Sequence, residues 1–304
     1  MGNELDKSQS SYAFCGLSST PAHIEAANFI VIPAPYEATT EWLPGTRQAP
    51  QAIIDSSRLL ELYDHVLDCD ISEAGIATAP ELPANFGSPQ AMVEDVHHCV
   101  LGWLKRGKTP VLLGGEHTIT IGSVRAAAEI FTDLTVLHID AHSDLRDEYL
   151  GSLYGQATVM RRVRELCPTV HAGIRALSAS ERRLIDQESI PVAFWPPPGG
   201  SDWVPPLLAS LSPNVYITID VDALDPGLIP WVGTPEPGGM FWDDLWRLLS
   251  PVATQRRVVA LDVVEFAPRG PGSEASAYTI AKMVYRMIGA IYHSRIRREA
   301  LANG

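Results

Sequence analysis

Short apolar runs alternate with helix-period segments along most of the chain. Runs rich in Val, Ile and Leu occupy residues 28–33, 110–113, 134–139, 169–174, 191–194, 214–219 and 258–263. Each is too short for a helix and lacks regular polar alternation, so each predicts a strand buried on both faces. Apolar residues spaced three and four apart predict helices over 49–63, 89–106, 120–131, 156–166, 179–187, 202–211, 242–249 and 275–292. In the first of these, Ile53, Ile54, Leu59, Leu60 and Leu62 make one broad stripe. Residues 36–47 and the Pro- and Ala-rich stretch 75–87 read as loops. Strands alternating with helices imply a parallel sheet covered by helices on both faces. With no internal repeat and no linker, one catalytic domain over 26–304 is expected, preceded by a flexible tail over 1–25.

Two of the strand runs end in carboxylates. One continues as His138-Ile139-Asp140-Ala141-His142-Ser143-Asp144, the other as Ile219-Asp220-Val221-Asp222. Residues two apart in a strand point the same way, so Asp140, His142 and Asp144 can converge, as can Asp220 and Asp222. A third run ends in Gly114-Gly115-Glu116-His117-Thr118, which places His117 on the same rim. Ligands in open α/β sheets bind at the carboxyl ends of the strands. Buried carboxylates are costly unless they are paired or bind cations. Taken singly, each segment reads more readily as a structural or surface His, a cap or a loop hydrogen-bonder than as a metal ligand. Together, four carboxylates and two imidazoles predict a metal site. The oxygen-rich set suits an octahedral ion such as Mn²⁺, with Ni²⁺ or Co²⁺ as alternatives. Six side chains exceed what one open catalytic ion needs, which points to two ions sharing carboxylates and lowering the pKa of bound water.

Composition narrows the partners. The 304 residues carry a formal charge of -13, which disfavours nucleic acid or an anionic membrane and suits a cationic ligand. The four cysteines, Cys15, Cys69, Cys99 and Cys167, have no metal-type spacing and read as free thiols of a reducing compartment. With no signal-peptide pattern and no membrane-length apolar run, a cytoplasmic protein is expected.

These segments resemble the ureohydrolase family, which includes arginase, agmatinase and guanidinobutyrase. The resemblance rests on residues 114–118, 140–144 and 220–226, on Gly233-Thr234-Pro235-Glu236-Pro237-Gly238-Gly239, and on Asp262-Val263-Val264-Glu265. It extends over about 28–292, and the loops look more like those of agmatinases than of arginases. It implies a three-layer αβα sandwich with a mostly parallel eight-stranded sheet, assembled as a homo-trimer or hexamer. It also implies one ion held by His117, Asp140, Asp144 and Asp220 and a second held by Asp140, His142, Asp220 and Asp222. The implied reaction is hydrolysis of a guanidino C–N bond to urea and an amine. Asp144 would pass a proton to the leaving nitrogen, and Glu265 would accept hydrogen bonds from the guanidinium.

One position departs from the family pattern. A histidine thought to shuttle protons usually follows the aspartate-histidine strand, but here the stretch reads Tyr154-Gly155-Gln156-Ala157-Thr158. Gln156 hydrogen-bonds but exchanges no proton near neutral pH, and loss of a general acid or base typically costs about 10²–10⁴ in rate. A small or N-alkylated guanidine is therefore a candidate substrate: guanidine itself, dimethylguanidine or a biguanide. The alternative is a non-catalytic or partner-dependent subunit of a hetero-oligomer. A deacetylase-like enzyme with one zinc is a third reading. Trp42 and Trp231, in loops on the catalytic rim, either narrow the pocket or pack at a subunit contact.

Overall fold

The computed structural model describes residues 12–302 apart from Ser201. Its centre is an eight-stranded sheet. The strands are β1 (Phe29–Ala34), β2 (Ile76–Thr78), β3 (Thr109–Gly114), β4 (Leu134–Ile139), β5 (Thr169–Ile174), β6 (Val192–Phe194), β7 (Asn214–Asp220) and β8 (Arg257–Val264). They lie in the order β2-β1-β3-β8-β7-β4-β5-β6, and every pairing is parallel. The sheet expected as mostly parallel is thus wholly so. A separate two-stranded antiparallel ribbon pairs Tyr63–Asp64 with Cys69–Asp70.

Alternate side chains of one strand enter opposite core layers. Phe29 and Val31 of β1 pack in one layer, and Ile30 and Ile32 pack in the other. β1, β3, β4 and β5 are buried along their whole length. This is why their sequences read as continuous apolar runs without alternation. The first two α-helices among the described residues are α1 (Pro21–Ala26) and α2 (Ala49–Ser57), and the second layer lies under the next two, α3 (Pro89–Lys105) and α4 (Ile119–Ile130). The first layer lies under the helices Ala49–Ser57, Trp242–Gln255 and Ser273–Ala302.

Three expectations shift. Residues 75–87, expected as a loop, contain β2, a three-residue edge strand paired to β1 in the register Phe29↔Ile76. Three residues beside prolines are too few to show periodicity. The helix expected over 49–63 ends at Ser57, and the chain then turns toward the Tyr63–Asp64 ribbon. The part of the expected tail from residue 12 onward packs on the domain. Phe14 is fully buried and its N–H donates to Thr78 Oγ1 at 2.9 Å, and Thr20 caps a short helix, Pro21–Ala26. The rest of the expected tail, residues 1–11, lies outside the described residues.

The central strands β3, β8, β7 and β4 are neighbours in space but distant in sequence. Their carboxyl ends bring residues 114–118, 264–265, 220–222 and 140–144 onto one rim. Gly115 is indispensable there, because a Cβ at that position would meet the Tyr36 carbonyl oxygen at 1.9 Å.

Candidate active site

The rim gathers all six side chains expected to bind metal. His117 is fully buried, and its Nδ1 faces Asp144 Oδ2 at 3.2 Å, Asp140 Oδ2 at 3.4 Å and Asp220 Oδ2 at 3.5 Å. Its Nε2 lies 2.9 Å from the Thr218 hydroxyl of β7. Nearby, His142 Nδ1 faces Asp222 Oδ2 at 3.0 Å and Asp140 Oδ1 at 3.6 Å. Asp140 therefore turns one oxygen to each imidazole, the geometry of a carboxylate placed between two positions.

The protonation balance of this cluster is severe. Burial, followed by the charges of Asp222 and Asp140, drives Asp220 well above the usual carboxylate range. Burial and Asp140 push Asp144 up to about 6. Burial pulls the two imidazoles down, but the carboxylates around them win. His117 is held well above its ordinary value and His142 is raised to about 12. Yet His117 Nδ1 has no hydrogen-bond partner. A buried nitrogen ringed by three carboxylate oxygens at 3.2–3.5 Å, none of them aligned for a hydrogen bond, fits a cation in their midst. The nitrogen and oxygen donors suit a divalent ion of the manganese-to-nickel range.

Fixed partners aim the donors. Asp220 Oδ1 accepts the Asp222 N–H at 2.9 Å, and Asp222 Oδ1 accepts the Ala141 N–H at 3.1 Å. Asp140 Oδ1 accepts the His142 N–H at 2.6 Å. The Arg175 guanidinium clamps the loop after β7 by donating to the carbonyls of Asp222 and Glu236, both at 2.8 Å. Asp144 and Glu265 both have left-handed backbones, with φ of 53° and 66°. Such strain persists in non-glycine residues only where the surroundings impose it, and it concentrates at functional sites.

Glu265 stands at the end of β8. Its Oε1 accepts the His117 N–H at 2.6 Å, so Oε2 is left to face the cavity. Burial, with the charge of Glu116 next in size, drives its carboxyl well above the ordinary range. Above the rim lies a cavity of ≈ 320 Å³ lined by Asp144, Asp220, His142 and Glu265 below and by Gln156, Glu41, Glu236 and Thr234 above. Gln156 opens the 3₁₀ turn Gln156–Thr158, and its N–H donates to Thr39 Oγ1 at 3.3 Å. It therefore borders the cavity, as expected. Trp42 and Trp231 do not line it. Trp42 is exposed and Trp231 packs against Gly270, so of the alternatives left open for them, narrowing this cavity is not the one the structure bears out.

Two supporting features went unread in the sequence. Glu116 is fully buried. It accepts the N–H groups of Ala38 and Thr39, both at 2.6 Å, and the Thr39 hydroxyl at 2.8 Å, pinning the loop that carries Glu41. The second feature is a chain of donors behind Asp140. His138 Nε2 lies 2.8 Å from Asp140 Oδ2, and His138 Nδ1 lies 2.9 Å from His171 Nδ1. His171 Nε2 lies 2.8 Å from Thr169 Oγ1, which accepts from Arg164 at 3.2 Å. Burial, above all, holds His171 well below its usual value, hence neutral. With His171 neutral, one arrangement of protons makes every link donate toward Asp140. Its sequence signal was His138 and His171 at matching positions of two neighbouring strands.

The arginase family model matches residues 27–289. The chain belongs to the arginase family. It is 38% identical over 273 residues to an N(1)-aminopropylagmatine ureohydrolase of Synechocystis sp., covering 86% of this chain and 89% of that one. It is 31% identical over 268 residues to an agmatinase of Bacillus subtilis, covering 87% and 92%. Among solved structures, the agmatine ureohydrolase of Thermoplasma volcanium superposes with a TM-score of 0.81 at 28% identity, over 90% of this chain and 92% of that one. The chain is thus a ureohydrolase, a hydrolase acting on guanidino groups, in a family that works with paired metal ions. Among the described residues, no helix is long and apolar enough to cross a membrane.

Proposed function

We propose that this ureohydrolase cleaves a small or N-alkylated guanidine, using two divalent ions held by His117, Asp140, Asp144 and Asp220 and by Asp140, His142, Asp220 and Asp222. The observation that carries this reading is His117 Nδ1, buried and unpartnered among three carboxylate oxygens beneath an open cavity. Bound there, the ions supply Lewis acidity and a nucleophilic water at neutral pH. The side chains supply the rest. Glu265 Oε2 accepts N–H donors of the guanidinium and turns its carbon toward the floor. Asp144, at the boundary between floor and cavity, passes a proton to the leaving nitrogen. Gln156 orients the substrate by hydrogen bonds and carries no proton. A substrate whose leaving group needs little proton assistance suits this wall best. Glu41 and Glu236 at the mouth suit a substrate that is cationic beyond its reacting carbon.

The test is reconstitution of the metal-free protein with Mn²⁺ and with Ni²⁺, separately. Urea release is then measured from guanidine, dimethylguanidine, a biguanide, agmatine and aminopropylagmatine. Turnover of the smaller or alkylated guanidines above agmatine is expected. Preference for agmatine sinks the substrate assignment but leaves the reaction, whereas no urea from any compound by metal-loaded protein sinks both. Gln156 in the cavity wall also favours a second reading, a subunit that works only beside a homologous chain. That reading predicts urea only when the two chains are mixed.

A further inference from the structure

Helices α3 and α4 pack side by side, and one corner of that pair collects polar groups that the hydrolytic site does not use. Glu94, His97 and His98 lie within about one turn of α3, and Arg125 and Glu129 face them from α4. His97 is only 4% exposed. Its Nε2 lies 2.6 Å from Glu129 Oε1, so the ring places a proton on Nε2 and donates it to that carboxylate. In the neutral ring Nδ1 is then a bare lone pair, and it has no hydrogen-bond partner in its buried position.

That lone pair faces Glu94 Oε1 at 3.7 Å, and the same oxygen lies 3.2 Å from His98 Nε2. Arg125 grips Glu94 mainly at its other oxygen, Oε2, at 2.7 Å, with a long second contact to Oε1 at 3.5 Å, and this fork holds Oε1 beside the two rings. An imidazole lone pair opposite a carboxylate oxygen is repulsive, and a proton on Nδ1 would sit too far from Oε1 for a hydrogen bond. A cation between them resolves both problems. The three donor atoms lie within 4.8 Å of one another. Donors around a tetrahedral ion at about 2.0–2.1 Å stand roughly 3.3–3.5 Å apart, so small side-chain adjustments suffice.

We propose that Glu94 Oε1, His97 Nδ1 and His98 Nε2 form a second, separate metal site for a borderline divalent ion of the Zn²⁺ type, with solvent completing the shell. Two imidazoles and one carboxylate select such an ion over Mg²⁺ or Ca²⁺. Glu129 occupies the outer position that fixes a ligating histidine's tautomer and orientation. An ion here would be held by one turn of α3, beside α4, the helix that begins two residues after His117.

The experiment is equilibrium dialysis of the full-length, chelator-stripped protein against Zn²⁺, with metal per chain counted by elemental analysis. His98→Ala and Glu94→Gln alter side chains that are 66% and 42% exposed, so the fold is not at risk. Each variant is expected to bind one equivalent fewer than the wild type while keeping the stoichiometry of the hydrolytic pair. Glu129→Gln is expected to weaken this one equivalent about 10–100-fold. Equal stoichiometry in the wild type and both ligand variants overturns the proposal. A third equivalent that survives His98→Ala and Glu94→Gln places the ion elsewhere and overturns it equally.

Discussion

Directly beneath the cavity, Asp140 and Asp222 each engage both oxygens with named partners within 3.6 Å. On the wall, Gln156 is anchored through its backbone, the N–H on Thr39 Oγ1 at 3.3 Å and the carbonyl on the Val159 N–H, and Glu41 is an exposed loop residue held by the Tyr149 hydroxyl at 2.9 Å. The floor grows from the ends of four buried strands and cannot move without disturbing the core. The wall is carried by the loops around 36–47 and 149–158 and is fastened to the floor chiefly through Glu116 and Thr39. Reaction type belongs to the floor and substrate choice to the wall, so the two can diverge separately.

The sharpest way to break this division is to remove a shared floor carboxylate. Asp220→Ala is expected to lower urea release at least about 10³-fold, the scale on which preorganised charge stabilisation is lost, and to lower bound metal in parallel. Full metal content in this variant would show that Asp220 does not bridge. Glu265→Gln comes next. It keeps the size of the side chain and removes a carboxylate that burial already disfavours. A loss of about 10²–10³ in kcat/KM is expected, with a thermal midpoint unchanged or higher. A lowered midpoint would mark Glu265 as structural instead.

The same contrast explains what was legible in the sequence. His117, Asp140, His142, Asp144, Asp220 and Asp222 stood out because they follow closely on apolar strand runs whose carboxyl ends share one rim, although only Asp220 lies within a strand and the i, i+2 spacing does not place the others. The sheet was legible for the same reason, since buried strands print themselves as apolar runs. β2 escaped because three residues carry no period. Glu116 escaped because hydrogen bonds to backbone N–H groups dozens of residues away leave no local signature. Trp42 and Trp231 misled because a loop's position in the sequence does not say which way its side chains face. Gln156 was readable only as a departure from a family pattern, and its place in the cavity lining is what makes that departure chemically relevant.

Substituting the wall tests whether the two parts are independent. Gln156→His puts a proton-exchanging group beside the cavity. It is expected to raise kcat on agmatine about 10-fold or more and to add a new ionisation to the pH profile, with metal content unchanged. An unchanged rate and profile would remove position 156 from the reacting centre.

The floor also makes a pH prediction whose sign follows from the buried groups. Asp144, pushed up to about 6 by burial and by Asp140, keeps a proton in the metal-free fold that the unfolded chain releases near pH 4. The folded state then binds more protons than the unfolded one, so this group's contribution falls as pH rises from about 4 to 6. His117 works in the same direction: its raised value gives stability below about pH 6.5 that is lost as pH climbs through the folded value. Divalent ions held as proposed would replace those protons. The rise in thermal midpoint on adding Mn²⁺ is therefore expected to be several degrees larger at about pH 8 than at about pH 5. A metal-induced shift independent of pH would mean that the ions bind away from these groups.

The smallest effect is expected at the mouth. Glu41 borders the cavity from an exposed loop, its charge is screened by solvent, and it touches none of the floor groups. Its attraction for a distant cation on the substrate is worth about 1 kcal/mol at most, which is about a fivefold change in binding. Glu41→Gln should therefore raise KM about fivefold for a guanidine with a second positive charge, leave KM unaltered for free guanidine, and leave kcat unaltered for both. Equal effects on both substrates would mean that Glu41 supports the loop through Tyr149 and does not read the substrate. In that case Tyr149→Phe should reproduce the change, and the cation contact would have to be sought at Glu236, whose backbone is already held by Arg175.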